Sequence, residues 1–215
     1  NGKPSEAGKT TFEVDENTGA LKSLCLDGEE LLASPVTISL FRPATDNDNR
    51  DRMGAKLWRK AGLHTLTQKV VSLKESKTSA TAQVNILNVT GKKVGDATLE
   101  YTLNHNGSLK VQTTFQPDTT WVKSIARLGL TFEMNDTYGN VTYLGRGEHE
   151  TYIDRNQSGK IGIYTTTPEK MFHYYVIPQS TGNRTDVRWV KLADDSGKGC
   201  WICLLYTSPS PRDAH

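Results

Sequence analysis

Apolar and polar residues alternate with a period of two along most of the chain. Such segments lie at 11–14, 20–24, 36–41, 64–73, 78–89, 97–103, 109–115, 126–134, 141–144, 161–164, 171–176 and 187–192. Successive side chains of a strand point to opposite faces, so this period predicts strands with one buried face. Asn106 and Gly107 lie between two of these segments and predict a hairpin turn, because both residue types tolerate a positive φ.

A helical pattern occurs in one short segment, 52–61, where Gly54 weakens it. Strand and helix patterns do not alternate, which argues against a TIM barrel or a doubly wound sheet. About a dozen short strands joined by turns predict an all-β, antiparallel sandwich. No linker rich in Gly, Ser or Pro divides the chain, so a single domain is expected.

The chain has 215 residues and a formal net charge of +2, enough length for one good core. This balance of charge gives no indication of a nucleic-acid partner. No apolar run approaches the roughly 18 residues of a membrane span, so no membrane association is expected. The sequence begins without methionine or an apolar signal segment and is interpreted as cut from a longer protein. The compartment, bacterial cytoplasm or periplasm, stays open.

Three cysteines occur, and Cys200 and Cys203 form the sequence CWIC. A single C-x-x-C could be half a zinc site or a redox pair. No second such pair accompanies it, which favours structural or accidental cysteines, Cys25 included. The string CLLYTSPSPRD, which begins at Cys203, resembles a translated sequencing adapter. We therefore expect a domain at 1–202, incomplete at its C-terminus, and a non-native tail at 203–215.

The segment 40–50, LFRPATDNDNR, crowds short polar side chains after a strand. An EF-hand is excluded, because Asp51 stands where that loop needs glycine and Leu57 where it needs glutamate. Three interpretations stay open: another calcium geometry, a sugar-binding loop, and a tight turn held by Asp and Asn side chains.

A second polar segment, 143–155, reads YLGRGEHETYIDR and contains Glu148 and Glu150. A retaining glycosidase needs two carboxyl groups about 5–5.5 Å apart. Two residues apart on a strand, these carboxylates would lie roughly 7 Å apart. A loop held by ion pairs with Arg146 and Arg155 is therefore favoured over catalysis.

A third segment, 177–192, reads IPQSTGNRTDVRWVKL. Its Arg188 and Trp189 could stack on a sugar ring or pack against the protein. The chain contains no GxSxG, P-loop, GxGxxG or HExxH motif. The residues alone therefore indicate a β-sandwich with a carbohydrate-related role.

Taken in order, the three segments resemble the C-terminal "small chain" domain of LacZ-type β-galactosidases, glycoside hydrolase family 2. FRPATDND resembles the family pattern WRAPTDND with its Ala-Pro order inverted. The second pattern, GRGPxENYxDR, has Glu148 here for proline and Thr151 for asparagine, and the third, PQENGNRTDVRW, differs at Ser180 and Thr181. The resemblance covers residues 11–202. The positions that match, expected to be structural, are Arg42, Gly145, Arg146, Gly147, Glu150, Tyr152, Asp154, Arg155, Asn183, Arg184, Asp186, Arg188 and Trp189.

The resemblance implies an antiparallel β-supersandwich similar to galactose mutarotase. It also implies that both catalytic glutamates lie on a separate TIM barrel, so that no catalytic residue and no cofactor belongs to this chain. Mg and Na ions would assist on that barrel. The implied partners are the barrel, the N-terminal domains, a galactoside and, for the intact enzyme, further copies in a homo-oligomer. The alternative is a free-standing mutarotase-like or carbohydrate-binding module.

For the first segment, the resemblance implies a mobile loop at the edge of the galactose pocket. Asp46, Asn47 and Asp48 would brace the base of this loop through turn hydrogen bonds. The expected substrate-proximal residues are Asp46, Asn47, Asp48, Asn49, Arg50, Asp51 and Arg52.

Overall fold

The computed structural model of the chain describes residues 9–50 and 54–205. The strands found there are β1 Thr10–Val14, β2 Leu21–Leu26, β3 Glu29–Glu30, β4 Leu32–Ser39, β5 Leu66–Glu75, β6 Ser79–Asn88, β7 Lys93–Leu103, β8 Leu109–Pro117, β9 Gly129–Met134, β10 Asn140–Arg146, β11 Ile161–Thr166, β12 Trp189–Ala193 and β13 Gly199–Cys203. The helices are α1 Asp46–Arg50, α2 Ala55–Lys60 and α3 Pro168–Met171. The paired strands are all antiparallel, which confirms the predicted all-β class.

The chain divides into two compact units, and the boundary lies after Asn135. The first contains a sheet of order β1-β2-β4-β9, with β3 paired to β2, and a sheet of order β5-β6-β7-β8. The second contains a sheet of order β11-β10-β12-β13. The single-domain assignment of 1–202 and the likeness to galactose mutarotase stay predictions.

The core of the first unit lies between its two sheets. Alternate residues of β6 are buried, as the period of two predicts. The hydroxyl of Tyr101 on β7 donates to the Gly19 carbonyl at 2.9 Å, and burial raises the pKa of this phenol. Gln68 on β5 bridges to the other sheet, because its side-chain oxygen accepts from the Ile38 amide at 2.7 Å. The two sheets therefore form a sandwich joined by hydrogen bonds as well as by apolar contact.

The second unit is a four-stranded sheet with two long loop regions. Val141 and Tyr143 on β10 and Ala193 on β12 are buried. The loops between β10 and β11 and between α3 and β12 carry most of the family-motif residues. Thr151, Tyr152 and Ser180 in these loops are buried, so the loops have packed interiors of their own.

The predicted hairpin is confirmed: β7 and β8 pair from Leu103 opposite Leu109. Only one of the two turn residues has a positive φ, Gly107 at 80°. Asn106 contributes differently, since its side-chain oxygen accepts from the Ser108 amide at 3.0 Å.

One expectation about local structure was wrong. The segment 171–176 was predicted as a strand, but α3 ends at Met171 and residues 172–177 pair with no strand among the described residues. The polar run from Asp46, for which three interpretations were open, forms the helix α1. Within 52–61, the helix covers Ala55–Lys60. In the described part of the chain no helix has the length and apolarity to cross a membrane.

Candidate functional site

A helix cap organises the first polar segment. The Asp48 carboxylate accepts from the Thr45 amide at 2.7 Å and from the Thr45 hydroxyl at 2.8 Å. In return, the Asp48 amide donates to the Thr45 hydroxyl oxygen at 3.4 Å. These reciprocal bonds form a capping box, which satisfies backbone donors at the start of α1.

Arg42 clamps the same carboxylate with two nitrogens. Nη1 lies 2.6 Å from Oδ2 of Asp48, and Nη2 lies 3.2 Å from Oδ1. Burial would raise the pKa of Asp48, but the hydrogen bonds from Arg42 and Thr45 outweigh it and lower the pKa. Asp48 is therefore a structural anion at neutral pH.

Behind this ion pair lies the tryptophan of α2. Trp58 is 5% exposed. Its ring lies 5.3 Å from the Arg42 guanidinium and meets Phe41 edge-on at 6.5 Å. Its indole nitrogen donates to the Ser124 hydroxyl at 3.0 Å. A Cβ on Gly54 would lie 3.0 Å from the Asp48 carbonyl oxygen, so glycine allows α1 and α2 to approach closely.

Asp48 thus holds the start of α1, and the bracing of a substrate loop by Asp46, Asn47 and Asp48 stays a prediction. Asp46 and Asn47 are exposed on α1, and the side-chain nitrogen of Asn49 donates to the Thr45 carbonyl at 3.3 Å. The side chain of Arg50 and the whole of Asp51 and Arg52 lie outside the described residues. Their proximity to substrate stays a prediction.

In the second unit, the carboxylate of Glu150 is the centre of a partly buried cluster of hydrogen bonds. It accepts from the Gly182 amide at 3.0 Å, from Arg155 Nη2 at 2.9 Å, and from the Tyr175 hydroxyl. The side chain is only 10% exposed. Arg155 also lies over the ring of Tyr152, 4.6 Å from its centroid. Glu150 therefore fastens three separate parts of the loops together.

Two further arginines join the same loops. Arg146 pairs through Nε with Asp186 and donates from Nη1 to the Gly159 carbonyl at 3.0 Å. Arg184 donates to the Tyr143 hydroxyl at 2.9 Å. It also donates to the carbonyl oxygen of Glu148 at 2.8 Å. The expected loop held by ion pairs is present, but its carboxylates are Glu150 and Asp186.

Thr151, which stands where the family pattern has asparagine, is bonded on every side. Its amide donates to the Asn183 carbonyl at 2.8 Å, and its carbonyl accepts from the Asn183 side chain at 2.7 Å. Its hydroxyl lies 2.9 Å from that of Thr185. A Cβ on Gly159 would come within 2.7 Å of its methyl group. The second and third motifs therefore pack together as one structure.

The other motif residues have backbone or packing roles. Gly147 has a φ of 67°, and a Cβ on Gly145 would lie 3.0 Å from a Val187 methyl. The Arg188 amide donates to Leu144, and Asp154 is exposed. The ring of Trp189 stacks on Trp201 at 4.7 Å. Sequence reasoning missed Trp201 and Tyr175 as partners, because contacts between distant positions leave no local pattern.

The CWIC cysteines lie on β13 opposite different partners, Cys200 facing Leu192 and Cys203 facing Trp189. Residues three apart on a strand point to opposite faces, and all three cysteines are free thiols. Burial raises the pKa of the Cys200 thiol. Residues 9–50 and 54–205 contain no group of three or more His, Cys, Asp or Glu side chains that could hold a metal ion.

Carboxyl pKa values do not indicate a general acid. A glycosidase acid must stay protonated, which requires a raised pKa. Six carboxyls in the described residues have displaced pKa values, and all six are lowered: Asp15, Glu30, Asp48, Asp118, Glu169 and Asp194.

The chain is similar to known β-galactosidases over most of its length. Residues 6–213 match the family described as "Beta galactosidase small chain". A β-galactosidase of Priestia megaterium is 31% identical over 204 residues, which are 92% of this chain and 19% of the relative. β-Galactosidase BgaC of Bifidobacterium adolescentis is 28% identical, with shares of 84% and 17%. The β-galactosidase of Kluyveromyces lactis is 29% identical, with shares of 84% and 18%.

The chain thus spans about a fifth of the length of these relatives. The family match extends to residue 213, and Cys203 is part of β13. Residues 206–215 lie outside the described part, so the non-native tail stays a prediction. The three motifs, the all-β fold and the match over residues 6–213 agree, and the chain belongs to the β-galactosidase small-chain family.

Proposed function

We propose that the chain is a non-catalytic part of a β-galactosidase that hydrolyses terminal β-D-galactosides with retention. The observation that supports the proposal most directly is that the Glu150 carboxylate is occupied by hydrogen bonds within the loops. A nucleophilic carboxylate must be able to attack the sugar, and a general acid must hold a proton. Glu150 instead accepts three hydrogen bonds that hold loops together. Its neighbour Glu148 is exposed.

In this proposal, the two catalytic glutamates belong to a TIM barrel elsewhere in the polypeptide. Mg and Na ions would act there, and the intact enzyme would be a homo-oligomer. One glutamate would form the glycosyl-enzyme intermediate while the other protonates the leaving group and then activates water. The chain described here would contribute a wall of the substrate pocket and part of the scaffold.

The pocket wall would be the segment that follows the capping box. Arg42 and Thr45 hold the Asp48 carboxylate by hydrogen bonds, and the Trp58 ring packs against the Arg42 guanidinium. In this proposal, the segment 49–52 lies beside a bound galactoside, and the contacts of Asp48 hold the chain that leads into it. Loops that close over substrate need such fixed ends, since a base that moves would lose the orientation of the loop.

A chimaera tests the proposal. Residues 6–205 of this chain replace the matching segment of the Priestia megaterium enzyme, and hydrolysis of a chromogenic β-galactoside is measured. We expect the chimaera to be active, and both the host lacking the segment and the 215-residue chain alone to be inactive. An inactive chimaera that is folded and assembled would contradict the proposal. Sugar binding or mutarotation by the chain alone would instead favour the free-standing module.

A further inference from the structure

Residues 172–177, FHYYVI, form an exposed aromatic segment in the loop after α3. Phe172 is 52% exposed, Tyr174 88% and Val176 101%. Ile177 is a further 71% exposed. The segment contains no Asp, Glu, Lys or Arg. Clustered apolar groups of this kind are unfavourable in water and usually mark an interaction site.

Bonds on the opposite side hold the exposed aromatic segment in place. The His173 amide donates to the Thr181 hydroxyl at 2.7 Å, and that hydroxyl donates back to the His173 carbonyl at 3.2 Å. The Tyr175 hydroxyl donates to Glu150 and accepts from Arg155 at 2.9 Å. The segment is therefore fastened at two of its six residues.

Two pairs of aromatic rings contact each other within the segment. The rings of Phe172 and Tyr174 contact each other at 4.7 Å, and those of His173 and Tyr175 at 4.5 Å. Tyr175 is anchored to Glu150, while Tyr174 is exposed. The bonds at His173 and Tyr175 restrict the segment, which reduces the conformational entropy that is lost when a partner covers it.

We propose that the exposed aromatic segment is a docking surface for the remainder of the β-galactosidase polypeptide. The inference rests on the proposed function, since the chain spans about a fifth of its relatives and the rest is tethered to it. Tethering gives that polypeptide an effective concentration in the millimolar range, which a second copy does not have. The aromatic and uncharged composition matches the centre of a protein interface. The partner surface is accordingly apolar and lies in the same molecule.

Photo-cross-linking in the chimaera tests the docking surface. The photoreactive amino acid p-benzoylphenylalanine is placed at Tyr174 and, as a control, at Val89, which is 67% exposed in the first unit. Cross-links are mapped by mass spectrometry in a mixture of light and isotope-labelled enzyme, and hydrolysis is measured on the same sample. We expect position 174 to cross-link to host residues of the same molecule and position 89 to give at most a tenth of that yield.

Cross-links from 174 to a second copy, or no cross-link in an active chimaera, would overturn the docking surface and leave the proposed function intact. If the chimaera does not accumulate, the 215-residue chain is added to the host enzyme lacking the segment, and the dissociation constant is measured. Changing Tyr174→Ser and Val176→Ser together should weaken binding about tenfold or more, because interface centres carry most of the affinity. Val89→Ser should leave it unchanged. Equal affinities, or no binding by the unchanged chain, would overturn the inference.

Discussion

Replacing Glu150 by alanine removes the acceptor shared by Gly182, Tyr175 and Arg155. A hydrogen bond to a charged group contributes about 1.5–3 kcal/mol. The Arg155 side chain is 47% exposed, so we assign its pairing only about 0–1 kcal/mol. The bonds from Gly182 and Tyr175 then dominate, and their loss leaves a backbone donor without its acceptor. We expect local stability to fall by about 3–4 kcal/mol.

Amide hydrogen exchange followed by mass spectrometry measures this loss where it occurs. Local opening should expose the Gly182 amide, and about 3 kcal/mol corresponds to exchange roughly a hundredfold faster in Glu150→Ala. Peptides of the first unit should exchange at unchanged rates. Glu150→Gln keeps an acceptor oxygen and should show a smaller increase.

Glu148→Ala is the matched control. Glu148 is exposed, and Arg184 bonds its backbone carbonyl, which the substitution keeps. Exchange at Gly182 should therefore stay within experimental error. Unchanged exchange at Gly182 in Glu150→Ala, or equal effects of Glu148→Ala and Glu150→Ala, would refute the anchoring role of Glu150.

Two further predictions concern the stability of each unit. The pKa of Asp48 is lowered from its ordinary value of 3.8. The charged carboxylate therefore stabilises the fold at pH values above 3.8, and this contribution is lost as the pH falls towards the lowered pKa. Asp48→Asn should therefore reduce the urea midpoint at pH 7, and its difference from the unchanged chain should shrink below pH 3.8; a difference that is constant with pH would contradict this. Gly159→Ala should destabilise the second unit by about 1–3 kcal/mol, because the added methyl meets Thr151. Gly129→Ala is the control and should not destabilise the protein, because nothing lies within 4 Å of the added methyl group. Equal urea midpoints for the two variants would contradict the steric argument.

The alternating strands could be read from the sequence because burial on one face imposes a period of two. The helix α1 was missed, although Thr45 and Asp48 have the spacing of a capping box. The polar composition of the run favoured a turn. For the segment 172–177 a strand was predicted from its alternating pattern. Hydrogen bonds to side chains hold the segment instead, and no strand among the described residues pairs with it.

The role of Glu150 shows why the candidate site was only partly predictable. The sequence placed Arg155 within reach of Glu150, and the pair is present at 2.9 Å. Tyr175 and Gly182 lie 25 and 32 positions away along the chain. Local spacing holds no information about such contacts, which depend on how the loops fold over the sheet. The family resemblance identified the motif residues without giving these partners.

In the proposed function, the acids of this chain hold its loops and break no glycosidic bond. The most direct test is the hydrolysis of a chromogenic β-galactoside by the purified 215-residue chain, compared with its Glu150→Gln variant. We expect neither protein to exceed the rate in buffer. Turnover by the unchanged chain that Glu150→Gln abolishes would contradict it.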